Sequence, residues 1–238
     1  MRFLILLLTT LSPLLAYSQV KDLRPLHTEA KDQGASDTCA FYAITAALEF
    51  AINVQFGTPV DISEKYEWHR SKVIKQQRPE VEFGDTYLLA QNLTADNYSY
   101  TENGAKFSFS GLIYKELTQL WVKTPWSQQI IEQLDKDRAV VTTLKLSVRS
   151  VNDRTGELNF DDQEEALCLK NPNSCGGHAI VITGYDRSRR AFTFKNSWGT
   201  KWGQQGFGTV SFEQIDKYSY DHLVLYFDKM LSPRISLP

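Results

Sequence analysis

Three side chains far apart in this 238-residue sequence have the types needed for acyl transfer: Cys39, His178 and Asn196. A thiol becomes a strong nucleophile once it loses its proton. An imidazole can take that proton, and an amide oxygen can fix which imidazole nitrogen remains basic. Gln33, six residues before Cys39, adds an amide N–H that could meet a developing oxyanion beside the backbone N–H of Cys39. Singly, each has a structural use: a cysteine is often a small core residue, and a lone histidine is often buried and satisfied. Together they describe a thiol-dependent site.

The elements that must carry them can be read from periodicity. From Cys39 to Phe56 the chain is apolar on nearly every face and rich in alanine, which predicts a buried helix. Ser36, Asp37 and Thr38 offer N-caps, and Gly57-Thr58-Pro59 stops the helix. Cys39 would then sit at the positive end of the helix dipole, which favours thiolate. A second, more polar helix is predicted over 64–78 and a third over 86–92, with loop over 93–110. Two sequons, at Asn92 and Asn97, fall at the start of that loop, the first on the last predicted helical residue. Strands are predicted over 139–148, 179–183, 191–195, 208–212 and 223–227. Gly176-Gly177 places His178 at the start of the second of these. A turn near Asp186–Arg190 brings His178 and Asn196 to equal depth on neighbouring antiparallel strands. Helices first and an antiparallel sheet after them predict an α+β protein, a helical lobe over 19–125 against a β lobe over 126–238, with the site in the cleft between.

The first residues read as an export signal: Arg2, an apolar run to Leu15, then Ala16-Tyr17-Ser18 as a cleavage site. The mature chain is expected to be residues 19–238, secreted or periplasmic, with no membrane anchor after cleavage. An oxidising compartment makes the cysteine count informative. Of three, Cys168 and Cys175 lie close enough in sequence to pair, leaving Cys39 free. The alternative, zinc held by Cys168, Cys175 and His178, lacks an evident fourth ligand. No cofactor is called for. The net charge of -2 offers no basic footprint, so nucleic acid is not an expected partner.

The block Asn196-Ser197-Trp198-Gly199, followed by Trp202-Gly203 and Gly206-Phe207, resembles the signature of papain-like cysteine peptidases. Gln33-Gly34 before Cys39, and His178-Ala179-Ile180 running to Gly184-Tyr185, resemble two further motifs of that family. The resemblance implies a two-lobed papain-like fold and a secreted peptidase. Cys39 would be the nucleophile, His178 the general base and then acid, Asn196 its orienting group and Gln33 an oxyanion donor. Trp198 would shield the Asn196–His178 bond, and Gly84 and Gly177 would serve substrate binding. Peptide or protein substrates, and a protein inhibitor, are the implied partners. Two other functions fit the same residues: a peptide-binding protein with little or no catalysis, and a thiol acyltransferase. The chain departs from the family at the nucleophile loop. Ser36 stands where a cysteine is usual, Ala40 replaces a large aromatic, and Asp37 adds a charge expected to raise the thiol pKa. The stretch between Ser18 and Gln33 is too short for the family's inhibitory pro-segment.

Overall fold

The computed structural model describes residues 18–80, 82–118, 124–152 and 154–237. The expected export signal up to Tyr17 and residues 119–123, just before the expected lobe boundary at 125–126, lie outside the described residues. The chain enters as a short strand, β1 (Val20–Asp22), and then reaches helix α1 (Cys39–Phe56). Residues Phe41 to Ile52 of α1 are almost all buried, as an all-round apolar helix requires. Gly57 ends it in the left-handed conformation at φ 65°, its N–H bonding Asn53 O at 2.8 Å.

Helix α2 (Glu64–His69) is shorter than the sequence predicts. The turn from Arg70 to Ile74 widens to π-helical geometry, and Gln76 and Arg78 adopt positive φ. The cause lies inside: the buried Arg70 guanidinium pairs with the buried carboxylate of Glu67 and donates to Tyr98 O at 3.0 Å. Satisfying a buried charge outweighs continuing the ideal helix here. Helix α3 (Thr86–Asp96) starts where Asp85 accepts the N–H of Leu88 at 3.0 Å, and it runs past Asn92. Asn92 is therefore buried, its side-chain amide donating to Gln77 at 3.0 Å, and is no glycosylation acceptor.

The stretch expected as loop to residue 110 instead contains β2 (Tyr98–Tyr100) and β3 (Lys106–Ser110), with β4 (Leu112–Glu116) following. The remaining elements are α4 (Trp126–Leu134), β5 (Val140–Ser147), α5 (Val148–Asn152), β6 (Glu157–Leu158), α6 (Asp162–Lys170), β7 (Cys175–Asp186), β8 (Ala191–Lys195), β9 (Phe207–Ser211), α7 (Phe212–Tyr218), β10 (Ser219–Phe227) and β11 (Arg234–Ser236). Among the described residues the main sheet runs β4-β10-β5-β7-β8-β9-β6, with β1 also on β7. Its pairings are antiparallel except β6 on β9, which is parallel. The arrangement is α+β: helices α1 to α3 on one side of a cleft, the main sheet on the other. Segments cross between the two. β1 pairs with β7 in the β lobe, while β11 pairs with β3 among the helices. Helix α1 packs its buried face on β7 and β10, which sets the first-turn residue Cys39 against the sheet.

Candidate active site

The β side of the cleft is built by β7 and β8. They pair through Val181↔Lys195 and Ile182↔Phe194, with a register shift before Gly184. His178 lies within β7, which begins at Cys175, not at a strand start as the sequence predicts. Pairing with β5 as far as Ser147↔Cys175 extends the strand through both glycines. His178 Nε2 and Asn196 Oδ1 are 2.7 Å apart. The same Oδ1 accepts the N–H of Ser197 at 2.8 Å, which identifies it as the oxygen. Nε2 must therefore carry the imidazole proton, and Nδ1 is the basic nitrogen. Asn196 is itself held by its backbone N–H on Gly206 O at 2.9 Å. Gly206 is required there: it has φ 85°, and a Cβ would come 2.1 Å from that of Ala30. Trp198 stacks on the imidazole at 4.6 Å between centroids, and Trp202 meets Trp198 edge-on at 5.2 Å.

The helical side is the loop from Gln33 to Thr38 and the first turn of α1. Thr38 at the N-cap makes no side-chain cap; its hydroxyl pairs with Ser36 Oγ at 2.6 Å. The first N–H groups of α1 are thereby left for the sulfur of Cys39. Gln33 ties this loop to the opposite wall. Its N–H donates to Ser197 O at 2.9 Å, and its Oε1 accepts the Ser197 hydroxyl. Its Nε2 donates to Ser36 O at 2.6 Å, which commits one of the two amide hydrogens. Gln33, Cys39, His178 and Trp198 all line one cleft of about 860 Å³. Of the four residues singled out in the sequence, Gln33, Cys39 and His178 line this cleft, and Asn196 joins it through His178.

Burial pushes the Cys39 thiol up, against the N–H groups of Ala179, Ala40 and Cys39 itself, and Asp37 pushes it further. Burial also lowers His178 to about 4, opposed by Asn196. Burial thus disfavours charge on either group taken alone, against the pull of the helix dipole toward thiolate. The dipole contributes modestly, and desolvation of a lone charge costs more.

Gly84 and Gly177 also line the cleft. A Cβ on Gly84 would meet Phe41 at 2.8 Å, and one on Gly177 would meet the Tyr220 hydroxyl at 2.1 Å. Lacking a side chain lets Gly84 pack closely on Phe41 and Gly177 on Tyr220. Cys168 and Cys175 form a disulfide that joins α6 to the start of β7, and Cys39 is free. With their sulfurs joined, the two do not ligate zinc.

Sequence reasoning missed the charge cluster behind the site. Lys31 Nζ lies 2.9 Å from Glu64, 2.7 Å from Asp61 and 3.3 Å from Glu49. The carboxylates keep its ammonium charged despite burial. Lys195, next to Asn196, donates to Thr28 at 2.9 Å. Charges spread over five segments leave no periodic signal. The N–H of Ala179, aimed at the Cys39 sulfur, was equally invisible.

Residues 17–223 match the model of the Peptidase C39-like family. The chain belongs to that family. Its fold is papain-like. The C39-like chain is similar in structure to xylellain, a cysteine protease from Xylella fastidiosa, with a TM-score of 0.67 over 90% of this chain and 87% of that one at 18% identity. Against the bromelain protease of Ananas comosus the TM-score is 0.62 over 89% and 100% of the two chains at 15% identity. In sequence it is 22% identical over 219 residues to the gamete and mating-type specific protein A of Dictyostelium discoideum. A 40-residue segment is 38% identical to an uncharacterized peptidase C1-like protein of Acanthamoeba polyphaga mimivirus. The matches cover 84% and 17% of this chain but 44% and 13% of those relatives, so the C39-like chain spans less than half their length.

Proposed function

We propose that this protein is an exported cysteine peptidase that cleaves peptide bonds through Cys39. The observation that carries the reading is the 2.7 Å His178–Asn196 bond, stacked under Trp198, in the cleft that also holds Cys39. In the resting site burial disfavours charge on either partner alone. When a peptide carbonyl arrives, His178 Nδ1 takes the thiol proton as the sulfur attacks the carbonyl carbon. Charge then separates within the pair rather than on one group alone. The second amide hydrogen of Gln33 and the backbone N–H of Cys39 stabilise the oxyanion. The imidazolium, steadied by Asn196, protonates the leaving amine. Water, activated by the same imidazole, then hydrolyses the thioester and restores Cys39. The Cys168–Cys175 disulfide favours an extracellular or periplasmic setting.

Hydrolysis of fluorogenic peptides by the wild type and by Cys39→Ala tests this. Loss of all but a trace of the rate, at least about 10³-fold, is expected in the variant. Equal rates would refute the reading. The upward push on Cys39 and the low pKa of His178 favour a second reading, a papain-like peptide binder with little catalysis. Titration with an epoxide thiol trap separates the two: prompt, stoichiometric, His178-dependent labelling of Cys39 belongs to the peptidase alone.

A further inference from the structure

The segment from His27 to Gln33 reaches both walls of the cleft. Thr28 Oγ1 accepts the Lys195 ammonium at 2.9 Å, and its hydroxyl bonds the buried carboxylate of Glu49. Ala30 packs on Gly206, whose carbonyl holds the Asn196 N–H. Lys31 O accepts the Gly199 N–H at 3.0 Å, and Gln33 is clasped to Ser197. His27 opens the segment, and it is seated against its own chemistry.

The His27 ring stacks on Phe50 of α1 at 4.5 Å between centroids and meets Phe207 of β9 edge-on at 6.4 Å. Both ring nitrogens are sealed from solvent, and neither has a hydrogen-bond partner. An imidazole always carries at least one N–H, so this seat forgoes a bond that water would supply. A phenylalanine would fill the same place without that loss. The residue as a whole is only half-buried, because its outer edge lines a surface groove of about 1020 Å³ that shares no residue with the cleft. Asp22, Arg24 and Glu29 line that groove too. Arg24 is committed to Asp22 at 2.7 Å, whereas Glu29 is exposed and has no ion pair among the described residues.

A proton on the packed ring meets opposition. Burial opposes it most, the ammonium of Lys195 on β8 adds to this, and Asp22 at the end of β1 favours it less strongly. Glu49 on α1 is already engaged by Thr28 and Lys31, and the contact from β9 is the uncharged Phe207. In the groove the same proton would be hydrated and would face two carboxylates. The ring thus has two seats, an apolar one suited to the neutral form and a polar one suited to the cation.

We propose that His27 is an acid-operated latch: neutral, its ring packs on Phe50 and fixes the segment that ties the two walls; protonated, it moves out to Glu29 and Asp22 in the groove, and residues 24–33 loosen together. The sign follows from where the proton binds. The released ring takes it near the ordinary histidine value and the packed ring only well below that value. The closed form is therefore fully favoured above pH 6.5 and loses ground as pH falls.

Hydrogen exchange of the whole chain, read by mass spectrometry and corrected for the intrinsic pH dependence of the amides, tests the latch. Below pH 6.5 protection over residues 24–33 is expected to fall about tenfold per pH unit, the slope of one proton. In His27→Phe, which keeps the stack and cannot titrate, it should stay within about twofold down to pH 4.5. Constant protection in the wild type, or an equal fall in His27→Phe, overturns the latch. If His27→Phe does not fold, Glu29→Gln decides: weakening the outer seat should raise protection at pH 5 about threefold, and an unchanged value overturns the proposal. These results hold whether or not the chain cleaves peptides. Where it does, His27→Phe should keep about threefold more of its pH 7 rate at pH 5 than the wild type keeps. Equal shares would overturn the reach of the latch to the site.

Discussion

The two walls of the cleft are made in opposite ways. On the β side, His178 and Asn196 hang from paired strands. Backbone pairing, one 2.7 Å bond, the stacked indole of Trp198 and the edge-on indole of Trp202 behind it fix their geometry. On the helical side, Cys39 follows a loop whose polar groups mostly bond each other: Ser36 to Gln33 and Thr38, Gln33 to Ser36. The links across beside the cleft include Gln33 to Ser197, in two bonds, the Asp32–Trp198 bridge and the Gly199 N–H on Lys31 O at 3.0 Å. A rigid imidazole thus shares the cleft with a thiol whose carrier is held by a narrow clasp. The motif residues of the β wall need fixed partners, so they keep the family's pattern. The loop needs only to present a thiol at the helix end, and here it departs from that pattern at Ser36, Asp37 and Ala40.

Removing the orienting bond should break the rigid wall most severely. Asn196→Ala leaves the imidazole free to turn and to change tautomer. We expect kcat for peptide cleavage to fall about 100-fold with KM little altered, measured by initial rates. A loss under threefold would mean that strand geometry and Trp198 alone hold the ring.

The β lobe should also carry an acid sensitivity. His178, lowered to about 4, and His222, lowered to about 3, are buried neutral. Their folded pKa values lie below the ordinary value near 6.5, so the unfolded chain binds more protons between those limits. Stability is fully present above pH 6.5 and is lost as pH falls toward 4. At pH 5 each is expected to cost about 2 kcal/mol. Denaturant titrations from pH 7 to 4.5 measure the slope, and His222→Gln should flatten it. His222 now bonds Thr142 and Ser219, each at 3.2 Å. An unchanged slope would assign the acid sensitivity to other groups.

The smallest effect tests the clasp. Ser197→Ala deletes the hydroxyl donated to Gln33 but keeps the backbone bond. We expect about 1 kcal/mol of stability to be lost and kcat/KM to fall severalfold, chiefly through a less ordered Gln33. An effect as large as that of Asn196→Ala would show that the helical wall is no looser than the other.

The legible parts of this molecule are those whose cause is local. An apolar run with no polar face, closed by a glycine, dictates α1 to the residue. Alternation over Ala191–Lys195 does the same for β8. The strand Lys106–Ser110 alternates buried and exposed positions too, yet among serines, glycines and asparagines it reads as loop. Its stability comes from β2 and from β11, the latter more than a hundred residues later. Helix α2 failed differently, because a buried Arg70 distorts it. At the site, the candidates Cys39, His178, Asn196 and Gln33 were readable from type and order. The Ser197–Gln33 clasp and the Ala179 N–H were not, since each depends on which segments meet.

The exchange of strands between the lobes has a mechanical consequence. β1 seals an edge among residues that follow it by more than 150 positions, and β11 closes a small sheet that begins near residue 98. Neither half of the sequence holds all the strands its own lobe requires. A fragment cut at the connection would expose unpaired backbone and aggregate rather than fold. The cleft can therefore flex only as far as these two girths stretch, and melting should proceed as one transition, with both halves yielding together.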